Sequence, residues 1–207
     1  MCNARFSSFF RDERASTTVE FVAVLGPFML LTFFIFEILI ASLWVGTVEK
    51  AAQLGVRLAV VADPAVVGLP PTNTKPSQNI PYGASCGIAG NCVAFATLTC
   101  TGGMAGPCSA AGFSRVVTRM ANIAGLIKEG CAAGQPGCRV TISYTYVGLG
   151  FAGGPVIPSV ALKVSGVPYD AVVTKILGRF FGGASPLTTL PDITATFTGE
   201  DLSSAGA

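Results

Sequence analysis

The chain has 207 residues, a length that fits one or two domains. Hydrophobic residues make up 51% of it and charged residues only 12%, about half the charged fraction of an ordinary soluble domain. The net charge of +2 comes without a basic cluster, which argues against a nucleic-acid partner, and the absence of histidine makes an enzyme or a metal site less expected.

A long apolar run follows a short polar tail. Residues 21–45 read FVAVLGPFMLLTFFIFEILIASLWV and contain one ionisable side chain, Glu37. Because about 20 helical residues cross the hydrocarbon core of a bilayer, the run predicts a single transmembrane helix. A cleaved signal peptide is the less favoured alternative, because the run is too long and no A-x-A site follows it.

Basic residues on the two sides of this run predict its orientation. Arg5, Arg11 and Arg14 precede it, whereas Lys50 and Arg57 follow it. Arginine and lysine are retained on the cytoplasmic side, so we expect a cytoplasmic N-terminus and a body on the far side of the membrane.

The helical pattern continues beyond the membrane. We expect the helix to begin near Ser16, to kink at Gly26 and Pro27, and to end before Asp63–Pro64. Small or apolar residues line one face of its second half, and polar residues line the other. The first set is Val48, Ala51, Ala52, Gly55, Leu58, Ala59 and Ala62, and the second is Glu49, Gln53 and Arg57.

Cysteines mark the next part of the chain. Residues 64–83 hold five of the 13 prolines and predict an irregular linker, and residues 84–112 predict disulfide-pinned loops. An even number of cysteines in an oxidising compartment predicts disulfides, with the pairing open. Proximity favours Cys131–Cys138 and some pairing within 86–108, and no zinc-type spacing occurs. Cys2 is expected to be a reduced cytosolic thiol. The six disulfide candidates are Cys86, Cys92, Cys100, Cys108, Cys131 and Cys138.

The last part alternates helix and strand patterns. The predicted elements are a helix over Phe113–Glu129 that Gly130 ends, strands at Arg139–Val147, within Val156–Val167 and at Ile193–Thr198, and a short amphipathic helix at Tyr169–Phe181. The fold class is therefore α+β, with a small antiparallel sheet packed on helices. We expect four segments: a leader (1–15), a transmembrane and extended helix (16–63), a Pro/Gly/Cys-rich loop region (64–112) and an α+β distal domain (113–207).

The residues that open the apolar run carry a family resemblance. Residues 14–21 read RASTTVEF and resemble the R-G-S-x-x-V-E-F start of TadE-like proteins, pilin-like subunits of the tight-adherence (Tad) pilus system. Glu37 resembles the family's acidic residue late in the helix, residues 51–57 resemble its post-membrane segment, and residues 193–200 resemble its final strand and terminal glutamate.

The resemblance implies processing and docking roles for named residues. A prepilin peptidase would cut between Ala15 and Ser16, with Ala15 standing where the family usually has glycine. Glu20 would then be the fifth residue and would meet the N-terminal amine of a neighbouring subunit, while Phe21 and Glu37 would also take part in subunit docking.

Each of these features has a plainer interpretation. Glu20 fits an inert juxtamembrane acid, Glu37 an interface residue or a polar contact in helix packing, and the small-residue face a core against the protein's own body.

The resemblance implies a minor pilin or pseudopilin of a Tad-type pilus, at the tip or in initiation, because the major pilins are very short. Implied partners are the prepilin peptidase, other pilin-like subunits in a hetero-oligomer, the inner-membrane assembly platform and membrane lipid. The body would lie in the periplasm of a bacterium or in an extracellular pilus. The alternative is a membrane-anchored binding or adhesin-like module outside any filament. No catalytic motif or cofactor fingerprint occurs, so we expect neither catalysis nor a cofactor.

Overall fold

The computed structural model describes residues 13–102, 105–127, 138–169, 171, 175 and 189–199, with only the backbone of residues 13–17. The elements with described bounds are α1 (Glu13–Val61), β1 (Leu98–Thr101), α2 (Ala110–Ile123), β2 (Arg139–Leu149), β3 (Ile157–Ser165) and β4 (Ile193–Thr198). The described residues fall into two compact units. One holds α1 up to Ser42 with Ala171 and Lys175, and the other holds the rest.

Helix α1 is one continuous helix of 49 residues, which is about 73 Å at 1.5 Å per residue. The predicted start at Ser16 lies within it, because the described residues are helical from Glu13 onward. Pro27 lies inside the helix without ending it. Its missing N–H leaves the carbonyl of Ala23 without its helical partner.

The four strands form one antiparallel sheet in the order β1-β2-β3-β4. Burial alternates along β2 and β3, as expected for a sheet with one covered face. Inward residues pair across the two strands: Val140 with Val164, Ile142 with Leu162 and Tyr144 with Val160. The α+β class and the three predicted strands are confirmed, and β2 and β3 differ from the prediction only at their ends.

The second half of α1 is part of the core of this body. Ala51, Ala52, Val56 and Ala59 are completely buried in one cluster with α2 and the inner face of the sheet. At Gly55 an added Cβ would lie 2.5 Å from the sulfur of Met120 in α2 and 3.0 Å from a methyl group of Leu162 in β3. The small-residue face therefore packs against the protein's own body, as the plainer interpretation holds.

Helix α2 begins and ends earlier than the predicted Phe113–Glu129. Ser109 caps it by accepting a hydrogen bond from the Gly112 N–H (3.4 Å), and the backbone becomes extended at Ala124. Ile127 is buried from a turn after the helix rather than from the helix itself. The predicted stop at Gly130 and most of the predicted helix Tyr169–Phe181 lie outside the described residues.

Strand β1 lies within residues 84–112, where the prediction of disulfide-pinned loops alone is wrong. The short sequence LTCT carries too little periodicity to stand out. Its strand character depends on pairing with β2, from Leu98 opposite Tyr144 to Thr101 opposite Thr141.

Tyr144 joins the sheet to the end of α1. Its hydroxyl donates a hydrogen bond to the Ala59 carbonyl and accepts one from the Ala65 N–H, both at 3.1 Å. A helix leaves its last four carbonyls without helical partners, and this side chain satisfies one of them inside the core. Burial raises the pKa of the Tyr144 hydroxyl, and the bond from Ala65 opposes part of that rise.

The proline-rich segment after α1 is irregular, as predicted, but it is fixed to the turn between β2 and β3. Backbone hydrogen bonds join Gly83 to Ala152 (3.1 Å), Ala152 to Ala84 (2.8 Å) and Cys86 to Gly150 (3.0 Å). Such bonds replace a regular sheet ladder and satisfy the backbone of both segments.

We expect Tyr144→Phe to destabilise the protein by about 1–3 kcal/mol, because it leaves a buried carbonyl and a buried N–H without partners. Denaturant unfolding of the purified full chain in detergent measures this. The raised pKa of Tyr144 keeps its hydroxyl protonated in the folded state above the unfolded value of about 10. Above a pH of about 10 the unfolded chain releases this proton before the folded chain does, so the free energy of unfolding of the wild type should fall relative to that of the variant as the pH rises. A variant that is equally stable at every pH would contradict this account.

Gly55→Leu should destabilise the protein by about 2 kcal/mol or more, because its side chain would overlap Met120 and Leu162. Gly46→Leu is the matched control on the same helix, since nothing lies within 4 Å of an added Cβ there. Both variants replace a glycine of α1 by leucine, so both gain the same helix propensity. The difference between the two variants in denaturant unfolding isolates the packing effect, and equal stabilities would contradict it.

Candidate functional site

The candidate processing and docking residues lie in the first turns of α1. Ala15 and Ser16 are helical in backbone, so the bond between them lies inside the helix. Glu20 is exposed, and Phe21 beside it is 65% exposed. Both side chains are thus exposed on α1, which suits contact with another helix.

Glu37 stands in a different environment from Glu20. Its side chain is only 5% exposed within the first compact unit, although the residues on either side of it are exposed. The two carboxylates are 17 positions apart, which is about 26 Å along a helix. Burial of Glu37 fits a polar contact in packing better than a position in open interfacial water.

The apolar half of α1 is suited to a bilayer. A stretch within Thr18–Val61 has a mean hydropathy of 2.3, and only 6% of it is buried, so the helix is long and apolar enough to cross a membrane. The same properties fit a signal sequence near the N-terminus.

Its hydroxyl side chains bond to the helix itself. Thr32 donates to the Phe28 carbonyl (2.8 Å), Ser42 to Ile38 (2.9 Å) and Thr47 to Trp44 (2.8 Å). Because hydrocarbon offers no hydrogen-bonding partner, this arrangement lowers the cost of placing these residues in lipid.

The cysteines pair in chain order. Cys86 bonds to Cys92 and Cys100 to Cys108, so the expectation of pairing within 86–108 is confirmed. Cys138 is also disulfide-bonded, while Cys131 lies outside the described residues. The disulfide of Cys100 fixes β1 to the start of α2, and that of Cys86 closes a loop at the turn of the β2–β3 hairpin.

That hairpin turn is organised around Asn73, which is only 2% exposed. Its side-chain amide donates to the Pro155 carbonyl (3.0 Å) and more weakly to Leu149 (3.4 Å). Its backbone N–H donates to Gly154, and its carbonyl accepts from Gly153, both at 2.8 Å. One buried side chain thereby ties the proline-rich segment to the hairpin.

Exposed aromatic residues lie around this hairpin turn. Tyr82 is 77% and Phe151 58% exposed, and their segments are joined by the backbone bonds of Gly83 and Ala84 to Ala152. Lys75 places its ammonium 3.8 Å from the centroid of the Tyr82 ring. Exposed apolar side chains of this kind are common at binding surfaces.

The polar face of α1's second half does not face empty solvent throughout. Glu49, Gln53 and Arg57 line a hollow of about 360 Å³ with Thr194, Ala195, Thr196 and Phe197 of β4. The Arg57 guanidinium carbon lies 5.6 Å from the centroid of the Phe197 ring, which is a cation–π contact.

Sequence reasoning missed two residues that organise the body, Tyr144 and Asn73. Tyr144 occupies an inward position in the alternation of β2, and a buried tyrosine usually needs a partner for its hydroxyl. That signal could have been read from sequence. Asn73 lies in a proline-rich stretch with no periodicity, so nothing marked it.

Within the part of the chain that the structure describes, no three His, Cys, Asp or Glu side chains gather as metal ligands would. Comparison with known proteins adds no assignment: the chain matches no protein-family model, and no curated protein or solved structure matches it significantly.

Proposed function

We propose that this chain is a minor pilin or pseudopilin of a Tad-type pilus, anchored in the inner membrane and assembled through the first half of α1. The observation that carries the proposal is the contrast along α1. Its first half begins with RASTTVEF and exposes apolar side chains such as Phe21, while its second half is buried in a disulfide-bonded body. A subunit that joins others through a membrane-derived helix needs both properties in one helix.

Glu20 has the position that such an assembly requires. It is exposed at the start of the apolar run, and transfer of a carboxylate toward hydrocarbon costs free energy that a cationic partner lowers. A free amine at Ser16, cationic at neutral pH, would offset that cost when it comes from a neighbouring subunit. The pair would set the axial position of one helix against the next.

The small-residue face of α1's second half packs inside the protein's own body, so we do not assign it to subunit docking. Ala51, Ala52, Gly55 and Ala59 contact the protein's own core, so we assign subunit docking to residues before Ser42. The body would lie on the periplasmic side, where its disulfides persist. Partners would be a prepilin peptidase, other pilin-like subunits, the assembly platform and lipid. No catalytic role is assigned to the chain.

One observation favours a second candidate, a membrane-anchored binding or adhesin-like module that stays outside a filament. Phe151 is exposed in the turn between β2 and β3, and Tyr82 and Ile88 are exposed on the segment that hydrogen-bonds to this turn. Neighbouring exposed apolar side chains suit contact with another surface. Processing at Ser16 and a need for Glu20 distinguish the two candidates.

The protein extracted from membranes of a cell with an active prepilin peptidase should begin at Ser16, because the enzyme needs a small residue such as Ala15 before the cut. Intact-mass spectrometry measures the N-terminus. Ala15→Gly should be processed at least as well, and Ala15→Phe should remain uncut. A wild-type chain that keeps Met1 or Cys2 in that cell would exclude processing.

Glu20→Ala should abolish incorporation into filaments, with a fall of about tenfold or more in the sheared-pilus fraction, because the register-setting ion pair is lost. The control is Thr18→Ala, which removes an exposed uncharged group from the same turn. Total membrane-bound protein should be unchanged in both variants, since neither position contributes to the body. Normal incorporation of Glu20→Ala would favour the anchored binding module.

A further inference from the structure

The two edge strands of the sheet, β1 and β4, differ in whether other described residues bridge to their outer sides. At the β1 edge, Thr101 and Ala105 exchange backbone hydrogen bonds of 2.9 and 3.1 Å, and the Cys100–Cys108 disulfide holds this segment in place. At the β4 edge, no residue in the described ranges forms a bridge to the outer side of the strand. Among the described residues, the β1 edge is therefore bridged at Thr101, and the outer edge of β4 is left unpaired.

The pairing of β4 with β3 shows which backbone groups face outward. The Gly199 N–H donates to the Pro158 carbonyl at 2.6 Å, and hydrogen-bonded pairs alternate along an antiparallel ladder. Phe197, Ala195 and Ile193 are thus the residues bonded to β3. Thr194, Thr196 and Thr198 present their N–H and C=O groups to the outer edge.

β4 also lacks the features that usually protect an open edge. Its sequence ITATFT contains no charged residue and no proline, and its register with β3 is continuous over six residue pairs. Sheets normally guard such an edge with a charge, a proline, a bulge or a covering segment. An edge left open in this way is suited to pairing with another strand.

A groove for side chains runs beside the open edge, between β4 and α1. On one side of Arg57 it is lined mainly by Leu54, Leu58, Val61 and Phe197, with a volume of about 330 Å³. On the other side, Glu49 and Gln53 make it polar. Arg57 forms no salt bridge to any residue that the structure describes; its guanidinium lies over the Phe197 ring instead.

We propose that the outer edge of β4 binds an extended segment of another protein chain, which adds a fifth strand to the sheet. Side chains alternate along a strand, so every second one would point into the groove. An apolar side chain would fit against Phe197 and Leu54. A carboxylate would fit at Arg57, because a hydrogen bond between a guanidinium and a carboxylate is charge-assisted and strong. This site does not depend on the proposed pilin function, because an anchored binding module would offer the same edge.

The test is a selection of ten-residue peptides from a displayed library on the purified full chain in detergent. Selected peptides should alternate apolar and polar residues and carry an Asp or Glu. The best one is then synthesised, together with a copy in which the acid is replaced by its amide. If no such pattern is enriched, the proposal is overturned.

Two variants separate edge pairing from other binding. Thr196→Pro removes a backbone N–H that points outward and is not bonded to β3. It should lower the affinity for the synthetic peptide by about tenfold or more. Thr196→Val, the matched control, keeps the N–H and should bind within about twofold of wild type. Arg57→Gln should lower the affinity for the acidic peptide about tenfold and leave the affinity for its amide copy unchanged.

Hydrogen exchange of the wild-type chain gives a readout that needs no variant. Bound peptide should slow exchange at the amides of Thr194, Thr196 and Thr198, while the amide of Phe197 is already protected by β3. Protection elsewhere, for example around Tyr82 and Phe151, would overturn the proposal. Protection of the same three amides without peptide, lost on dilution, would assign the edge to a second copy of this chain instead.

Discussion

The close approach of α1 to α2 and the sheet is the constraint on which the body depends. Gly55 leaves room for Met120 and Leu162 where any larger residue would overlap them. Ala51, Ala52 and Ala59 continue the same narrow face. Small residues bury little area themselves, but they allow large side chains from α2 and the sheet to fill the space against the helix backbone.

This constraint divides α1 into two parts that share one backbone. Before Ser42 the side chains are apolar and mostly exposed, which suits lipid or neighbouring helices, and the hydroxyls bond to the helix itself. Beyond that point the helix is a core element whose end is fixed by Tyr144 through the Ala59 carbonyl.

The two disulfides and Asn73 stabilise the short strand β1 and the irregular segments of the body. Cys86–Cys92 closes a loop of exposed residues, and Cys100–Cys108 secures a four-residue strand that is marginal alone. Each bridge limits the unfolded chain and contributes about 2–4 kcal/mol. Unlike these regions, the outer edge of β4 has no bridge to any other described residue.

The sequence by itself determined the elements with strong periodicity: the apolar helix, its amphipathic continuation, and the alternating strands β2, β3 and β4. It also indicated pairing within residues 86–108, although the actual pairs, Cys86–Cys92 and Cys100–Cys108, were left open by the sequence. The candidate residues Ala15, Ser16 and Glu20 came from a motif, and their helical setting agrees with the apolar pattern that follows them.

Only the tertiary structure decided the rest, because the deciding contacts join residues far apart in the chain. β1 is a strand because β2 lies beside it, and Tyr144 matters because Ala59 and Ala65 meet its hydroxyl across about 80 residues of sequence. Whether the small-residue face of α1 served the body or a neighbour was open in the sequence, since both require the same residues. The position of Met120 and Leu162 against Gly55 settled it, as no local pattern could.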